Sequence, residues 1–179
     1  MPWIELALKG AYVYELELIK DNRGFFARTF FDQDLAEMKL NPHIEQCNIS
    51  YNNQKGTLRG MHYQVAPATE VKQVRCTQGA IYDVIIDMRP GSPTFLQHVG
   101  VELSAENHRV LYVPEMFAHG YQTLTDDAEV FYMVSQSYAP QYARGLRYND
   151  PALKIEWPLP VTVISPKDEA APDYSPEKE

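Results

Sequence analysis

The stretch VKQVRCTQGAIYDVIIDM, residues 71–88, decides the fold class of this chain. It holds two runs rich in Val and Ile, residues 71–77 and 80–88, and a Gln78-Gly79 turn divides them. Outward from this stretch, 13 Pro and 9 Gly cut the chain into short segments of similar character. The sequence therefore predicts an all-β sandwich or barrel. The further strand candidates are residues 11–19, 98–103, 109–113 and 129–135, and a short helix is predicted over residues 33–39 with Asp32 as its N-cap.

Length and composition limit the class of protein. With 179 residues, 45% of them hydrophobic, the chain fits a single domain over residues 1–179, with a loose tail from about residue 169. Sixteen Lys and Arg against 24 Asp and Glu give a formal net charge of −8, which argues against a basic nucleic-acid-binding or membrane-binding surface. Cys47 and Cys76 form no CxxC motif, and no uncharged apolar run is long enough to span a bilayer. We therefore expect a cytoplasmic protein with no nucleic-acid or membrane partner.

Two histidine-containing strings point to chemistry. In GTLRGMHYQ, His62 and Gln64 stand two apart and would face the same side of a strand, while in PEMFAHG the imidazole of His119 follows a turn. This spacing resembles the cupin pattern, in which HxH, a Glu and a later His hold a metal inside a double-sheet barrel. Here Gln64 replaces the second His, so that His62, Glu70 and His119 would remain as ligands. Lys72 shares the strand face of Glu70 and would put an ammonium beside any cation, which disfavours a metal site.

Several longer strings occur in a fixed order over most of the chain and resemble the dTDP-4-dehydrorhamnose 3,5-epimerase family. They are DNRGFF (21–26), GTLRGMHYQ (56–64), DVIIDMR (83–89) with GSPTF (91–95), LSAEN (103–107), VPEMFAHG (113–120) and GLRYNDP (145–151) with Trp157-Pro158. The resemblance implies a cupin double-stranded β-helix, or jelly roll, with a few short helices, mainly C-terminal. It also implies a homodimer that shares N-terminal strands, no metal or other cofactor, and a nucleotide-linked 4-keto-6-deoxy sugar as substrate.

Four residues match the catalytic positions of the family. Epimerisation next to a ketone needs a base, a group that stabilises the enolate oxygen, and an acid on the other face. His62 matches the base, Lys72 the residue beside the C4 oxygen and Tyr132 the acid. Asp168 matches the carboxylate that orients the base histidine. Each also has a purely structural alternative: a core histidine, a solvated edge-strand lysine, a core tyrosine and a solvated tail acid.

The resemblance also assigns substrate-binding residues. Arginine suits bidentate contacts with a diphosphate, and an exposed tyrosine suits stacking on a base. The matching positions are Arg23 and Arg59 for the diphosphate, Gln46, Asn48 and His119 as further ligands, Tyr138 for stacking on thymine, and Arg28 in the nucleotide-binding part.

Three positions depart from the family pattern. Arg28 and Ala143 stand where the family commonly has Glu, which puts the nucleotide base in doubt while the catalytic set is intact. Met116 stands where the turn usually carries Gly, and it predicts a changed backbone or a fuller pocket wall near His119.

The leading hypothesis is a cofactor-independent isomerase that epimerises C3 and C5 of a nucleoside-diphosphate 4-keto-6-deoxyhexose, for dTDP-rhamnose and polysaccharide biosynthesis. A 3-epimerase and a 3,4-ketoisomerase use the same enolate, and the position of the reprotonating acid decides among them. A metal-dependent cupin enzyme and a non-catalytic sugar-nucleotide sensor are the alternatives from other classes; the presence of His62 and Tyr132 argues against the sensor.

Overall fold

The structure, a computed structural model, describes residues 2–176 and consists mainly of short strands. The strands are β1 (Trp3–Glu5), β2 (Tyr12–Glu15), β3 (Ile19–Asp21), β4 (Gly24–Phe26), β5 (Gln46–Asn52), β6 (Thr57–Gln64), β7 (Lys72–Gln78), β8 (Ala80–Asp87), β9 (His98–Ser104), β10 (Arg109–Val113), β11 (Phe117–Thr123), β12 (Ala128–Val134), β13 (Ala143–Gly145) and β14 (Val163–Ile164). The helices are α1 (Asp32–Glu37) and α2 (Pro166–Glu169). The expectation of an all-β fold with a few short helices is confirmed, and the two helices lie one in the first quarter of the chain and one near its end.

Two six-stranded layers form the body of the molecule. One sheet has the order β1-β2-β10-β7-β12-β5; the other has β13-β6-β11-β8-β9, with β14 added in parallel to β6. Apart from that parallel pair, the strand pairs of both sheets are antiparallel, as in a cupin jelly roll. A cluster of fully buried side chains fills the space between the layers, among them Val74, Ile81, Ile85, Leu111 and Val130.

The turn at Gln78-Gly79 joins the two sheets, because β7 belongs to one layer and β8 to the other. Gly79 has a φ of +72°, and a Cβ on it would lie 2.2 Å from Oγ1 of Thr125. Glycine is required where the chain takes a left-handed conformation against a neighbouring loop. Residues 71–88, which predict the fold class, therefore also contain the turn at which the chain passes from one sheet to the other.

Two predicted elements have different boundaries in the structure. The strand predicted over residues 11–19 is divided into β2 and β3, because pairing with β10 ends at Glu15, whose partner Arg109 is the first residue of β10. The predicted helix begins one residue earlier and ends at Glu37, and its N-cap is Phe31 rather than Asp32. Lys39, with a φ of +58°, stops the helix. Within residues 2–176, no helix is long and apolar enough to cross a membrane.

The segment after α2 is attached to the barrel. The backbone N–H of Arg147 donates to the carbonyl of Pro172, and the Arg147 guanidinium pairs with Asp173 at 2.6 Å. The N–H of Tyr174 donates to Asp150 at 2.6 Å. A loose tail is predicted from about residue 169, but the segment makes these contacts as far as Tyr174. The last residues of the predicted tail, 177–179, lie outside the described part of the chain.

Candidate active site

Two cavities in the barrel share a wall made of the four residues assigned to catalysis. The first lobe, about 380 Å³, and the second lobe, about 500 Å³, are both lined by His62, Lys72, Tyr132 and Asp168. Lys72 and Tyr132 lie on the neighbouring strands β7 and β12, whereas His62 lies on β6 in the other sheet. Asp168 is carried by α2, directly after β14, which pairs with β6. The fold thus brings groups from both layers to the place where the lobes meet.

The His62 imidazole and the Asp168 carboxylate form a hydrogen-bonded pair, with Nε2 2.7 Å from Oδ1. The Asp168 side chain is only 8% exposed, while that of His62 is 46% exposed and open to the lobes. Burial favours the neutral acid, yet hydrogen bonds and the charge of His62 outweigh it and lower the pKa of Asp168. The N–H of Gly60 donates to Oδ2 at 3.2 Å. Asp168 is thus an ionised, fixed carboxylate and not a solvated tail acid.

Two glycines let β6 and β11 approach closely beside this pair. Gly60 has a φ of +123°, and a Cβ on it would lie 2.5 Å from the Cα of Gly120. The register between the strands shifts between His119 and Tyr121 at this point. This close approach places His119 directly opposite His62.

Lys72 is nearly buried and has an acidic partner. Its Nζ lies 3.0 Å from Oε1 of Glu70, and the two side chains are 11% and 13% exposed. The shared face expected for Glu70 and Lys72 is thus observed as an ion pair. Tyr132 lies one strand away; burial first, and then the charge of Glu70, raise its pKa, while Arg59 acts in the opposite direction. The phenol is therefore held in its protonated form at neutral pH, as a proton donor requires.

A second His–Asp pair lies at the wall of the first lobe, with its histidine lining the lobe and its carboxylate buried. Nε2 of His119 lies 2.9 Å from Oδ2 of Asp83, a fully buried carboxylate. Burial raises the pKa of Asp83, and His119 and Lys72 lower it in part. Within the described residues its Oδ1 has no hydrogen-bond partner. The single acid inside the apolar run around Ile81–Ile86 was the signal for this pair, because a lone carboxylate on a buried strand needs a cationic or hydrogen-bonding partner.

The predicted substrate-binding residues separate into two groups. Five of them line the lobes: Arg59 and His119 in the first, and Gln46, Asn48 and Tyr138 in the second. Arg23 and Arg28 line neither lobe of this chain. Arg23 belongs to the β3–β4 hairpin and pairs with Asp21, while the Arg28 guanidinium lies 4.6 Å above the ring of Phe31. Arg23 lies outside the lobes because its hairpin pairs with neither large sheet, and Arg28 follows this hairpin in the chain.

The donor set for a metal is not assembled. Among residues 2–176, no group of three or more His, Cys, Asp or Glu side chains is arranged to hold a metal ion. The Nε2 atoms of His62 and His119 face carboxylates, and Glu70 faces Lys72. Gln64 stands at the place of the second cupin histidine. Its amide donates hydrogen bonds to the carbonyls of Ala68 and Ser137 and so holds the two neighbouring loops in place.

Comparison with known proteins identifies the family. A family described as dTDP-4-dehydrorhamnose 3,5-epimerase matches residues 5–175. The chain belongs to this family. The dTDP-4-dehydrorhamnose 3,5-epimerase of Shigella flexneri is 39% identical over 166 residues, 92% of this chain and 91% of the relative. 

Solved structures agree with this assignment. A dTDP-6-deoxy-D-glucose-3,5-epimerase from Legionella pneumophila, in complex with dTDP-4-keto-L-rhamnose, superposes with a TM-score of 0.90 at 39% identity, over 96% of this chain and 92% of that one. A 3′-monoepimerase from Streptomyces bikiniensis, in complex with dTDP-quinovose, gives a TM-score of 0.87 at 32% identity, over 94% and 85%.

The three departures from the epimerase family lie in different surroundings. Ala143, on β13, lines the second lobe, whereas Arg28 lines neither. Met116 keeps a left-handed backbone, with a φ of +60°, so the turn has the conformation that glycine favours. Its side chain packs against the core cluster that includes Met88, and it lines neither lobe. Met116 thus adds nothing to the walls of the two lobes, and the expected change of backbone stays a prediction.

Several lobe residues of this epimerase-family chain were missed from the sequence. Ser165 had a readable signal, since Ser-Pro before an acid is typical of a helix start, and its side chain accepts a bond from the N–H of Asp168. Lys167 lies 5.8 Å above the Tyr138 ring, but nothing local to its sequence indicates this. The other missed lining residues include Ser50, Tyr121, Gln136, Arg144 and Ala171.

Proposed function

We propose that the protein epimerises C3 and C5 of dTDP-4-dehydro-6-deoxyglucose, through an enolate and without a cofactor. The observation that carries this proposal is the junction of the two lobes, where a base, an ammonium, a phenol and a buried carboxylate line one wall. Two family members support the substrate class: the Shigella flexneri relative carries the name of this activity, and the Legionella pneumophila structure holds its keto-sugar nucleotide.

Each step of the reaction uses a group at this junction. His62 removes the proton on the carbon beside the C4 ketone, and the electrons of the C–H bond move to the C4 oxygen as an enolate. The Lys72 ammonium stabilises that oxygen, as a cation in a water-poor site does. Tyr132 then gives its proton to the opposite face of the same carbon, and the phenolate and the imidazolium return to their starting forms by exchange with solvent.

Asp168 acts through His62. Its buried carboxylate, 2.7 Å from Nε2, fixes the orientation of the ring and stabilises the imidazolium that forms when the proton is taken. The other nitrogen of the ring is then the atom that faces the substrate. This arrangement supports a positioning role for the carboxylate.

We assign the nucleoside to the second lobe, where Tyr138, Gln46 and Asn48 supply a ring and two amides. The diphosphate, which joins the nucleoside to the sugar, is assigned to the place where the lobes meet, within reach of Arg59 and His119. This assignment places the sugar beside the four groups that act on it.

A homodimer is part of the proposal. The β3–β4 hairpin leaves Ile19, Phe25 and Phe26 exposed by 63%, 52% and 66%, which is unusual for a monomer. We infer that a second copy covers this hairpin and that Arg23, at its turn, serves the partner's cleft. A mass above 20.5 kDa in light scattering, and restored activity on mixing an Arg23→Ala variant with a His62→Ala variant, would support it.

A 3-epimerase is the second candidate, because the monoepimerase of Streptomyces bikiniensis shares this fold at a TM-score of 0.87. The decisive experiment incubates the metal-free protein with dTDP-4-keto-6-deoxyglucose in D2O and follows the C3 and C5 protons by NMR. Deuterium and inversion at both carbons support the 3,5-epimerase. Inversion at C3 alone selects the 3-epimerase, and loss of activity with EDTA that a divalent metal restores removes both.

The setting follows from the same proposal. We place the enzyme in the cytoplasm, in dTDP-rhamnose and polysaccharide biosynthesis, since its two cysteines are free, as is usual in a reducing compartment. Fractionation of cells that express the protein, with an antibody against it, checks the compartment.

A further inference from the structure

Glu70 is an acidic residue of the site that has no part in the mechanism above. Its carboxylate lies 3.0 Å from the Lys72 ammonium, and its side chain is only 13% exposed. It lines the second lobe together with Lys72 and Tyr132. The pair therefore faces the place where the sugar is assigned and is shielded from bulk water, where a charge interaction is strong.

The loop that carries Glu70 is firmly attached at both ends. At its start, the amide of Gln64 donates to the carbonyl of Ala68 at 2.9 Å. At its end, the N–H of Val71 donates to the Ser135 hydroxyl at 2.8 Å, and the N–H of Ser135 donates back to the carbonyl of Val71 at 3.0 Å. Glu70 directly precedes this last anchor, so that its backbone is fixed and its carboxylate can act as a fixed partner.

Lys72 needs such a partner. It is the first residue of β7, is 9% exposed, and is followed on the strand by the buried Gln73 and Val74. A long, flexible ammonium without a partner is costly to bury and would turn toward water. Asp83 acts on Lys72 electrostatically from the core side, and Glu70 contacts it from the lobe side. Glu70 is thus the acid that contacts the ammonium directly from the lobe side.

We propose that Glu70 is a positioning residue, whose carboxylate holds the Lys72 ammonium at the lobe junction so that it meets the enolate oxygen. The inference rests on the proposed function and adds a residue to it. Because the enolate carries its charge only after proton removal, the effect belongs to the transition state more than to substrate binding.

The surroundings of Tyr132 give a second readout. Burial, followed by the charge of Glu70, raises the pKa of Tyr132, and Arg59 lowers it. His62 and Lys72 line the same lobes. Replacing Glu70 by neutral Gln removes the acidic contribution, so the phenol should ionise at lower pH. The alkaline limb of the pH–rate profile should move in the same direction, because ionised tyrosine has no proton to deliver.

The test compares Glu70→Gln with Glu70→Asp and with Glu102→Gln. Glu102 is an exposed acid on β9 that lines neither lobe, so its variant removes one charge outside the site. We expect Glu70→Gln to lower kcat on the order of tenfold with KM changed less than about twofold. Glu70→Asp, which keeps the charge, should recover part of the rate, and Glu102→Gln should match the unmodified enzyme. NMR of protein labelled at tyrosine 13Cζ, with the Tyr132 signal assigned from Tyr132→Phe, should show its titration at lower pH in Glu70→Gln.

Other outcomes overturn the inference. The inference is wrong if Glu70→Gln has the same kcat and the same Tyr132 titration as Glu102→Gln. It is also wrong if Glu70→Gln has a lowered melting temperature with an unchanged kcat, because the ion pair would then be merely structural. If Glu70→Gln does not fold, equal rates for Glu70→Asp and the unmodified enzyme across the pH range count against it. If the unmodified protein does not turn over the keto sugar, the proposed function fails and the inference fails with it. If it does turn over the keto sugar and Glu70→Gln matches Glu102→Gln, the inference about Glu70 alone fails.

Discussion

Replacing Asp168 by Asn tests the central pair of the site with the least change in shape. The carboxylate is 8% exposed, lies 2.7 Å from the His62 ring and accepts the N–H of Gly60 at 3.2 Å. An amide of the same size keeps one acceptor oxygen but loses the charge. The ring then has no anion to stabilise it when it takes a proton, and its tautomer is no longer fixed.

The magnitude follows from the strength of the lost bond. A hydrogen bond to a charged group contributes about 1.5–3 kcal/mol, and about 1.36 kcal/mol corresponds to a factor of ten in rate. We therefore expect kcat to fall about 10- to 150-fold in Asp168→Asn. KM should change little, because the residues assigned to the diphosphate and nucleoside are elsewhere in the lobes.

The assay measures kcat and KM by deuterium incorporation at C3 and C5, beside a matched Asp173→Asn control. Asp173 is 47% exposed and pairs with Arg147 at the surface, so its variant should keep the full rate. An Asp168→Asn enzyme with the unmodified kcat would refute the positioning role. A loss confined to KM would instead make Asp168 part of substrate binding.

The same variant makes a prediction about pH and stability. The pKa of Asp168 is lowered in the folded protein, so the ionised carboxylate stabilises the fold at pH values above its unfolded pKa, about 3.9. That contribution is lost as pH falls through the lower, folded pKa. The difference in melting temperature between the unmodified protein and Asp168→Asn should therefore be full near neutral pH and shrink in strong acid. A difference that grows as pH falls would show the opposite sign.

The other predictions test separate parts of the molecule. Tyr132→Phe should keep deuterium exchange with retained configuration while inversion falls at least about tenfold, as NMR of the product would show; equal loss of both would make the hydroxyl a binding group. Asp87 is fully buried and accepts hydrogen bonds from Arg89, Ser92 and Thr94. The Asp87→Asn substitution should lower the free energy of unfolding by about 2–4 kcal/mol in urea titrations and leave the kcat of the folded fraction unchanged. Calorimetry with dTDP, UDP, CDP and GDP should show a base preference that Ala143→Glu alters, and equal profiles for the two proteins would make this departure neutral.

Much of the fold was readable because its signals are local. The runs on both sides of Gln78-Gly79 became β7 and β8 with nearly the expected ends, and residues 109–113 became β10. β5 and β11 were not proposed as strands, because polar residues such as Asn48 and His119 interrupt their apolar pattern to face the lobes. The polar residues that line the lobes thus obscured the strands that carry them.

The site was readable in its residue types and less in its geometry. Resemblance supplied His62 and Asp168 as a pair although they lie 106 positions apart, and in the structure the pairing of β14 with β6 brings the two elements that carry them together. Asp83 was missed as a partner of His119 because the two are 36 positions apart on neighbouring strands. Strand register, which decides such contacts, depends on bulges and glycine approaches that composition does not reveal.

Arg28 and Ala143, which stand where the family commonly has Glu, differ in physical meaning once their positions are known. Ala143 lies in the second lobe of its own chain, so the loss of an acid there acts directly on the nucleoside assigned to that lobe. Arg28 lines neither lobe and stacks on Phe31, next to the hairpin for which we propose a partner subunit. In the dimer that we propose, its reversed charge would act on a nucleotide across that interface. Base preference should therefore respond to position 143 within one subunit, whereas any response to position 28 depends on assembly and on salt, because a charge acting across an exposed interface is screened.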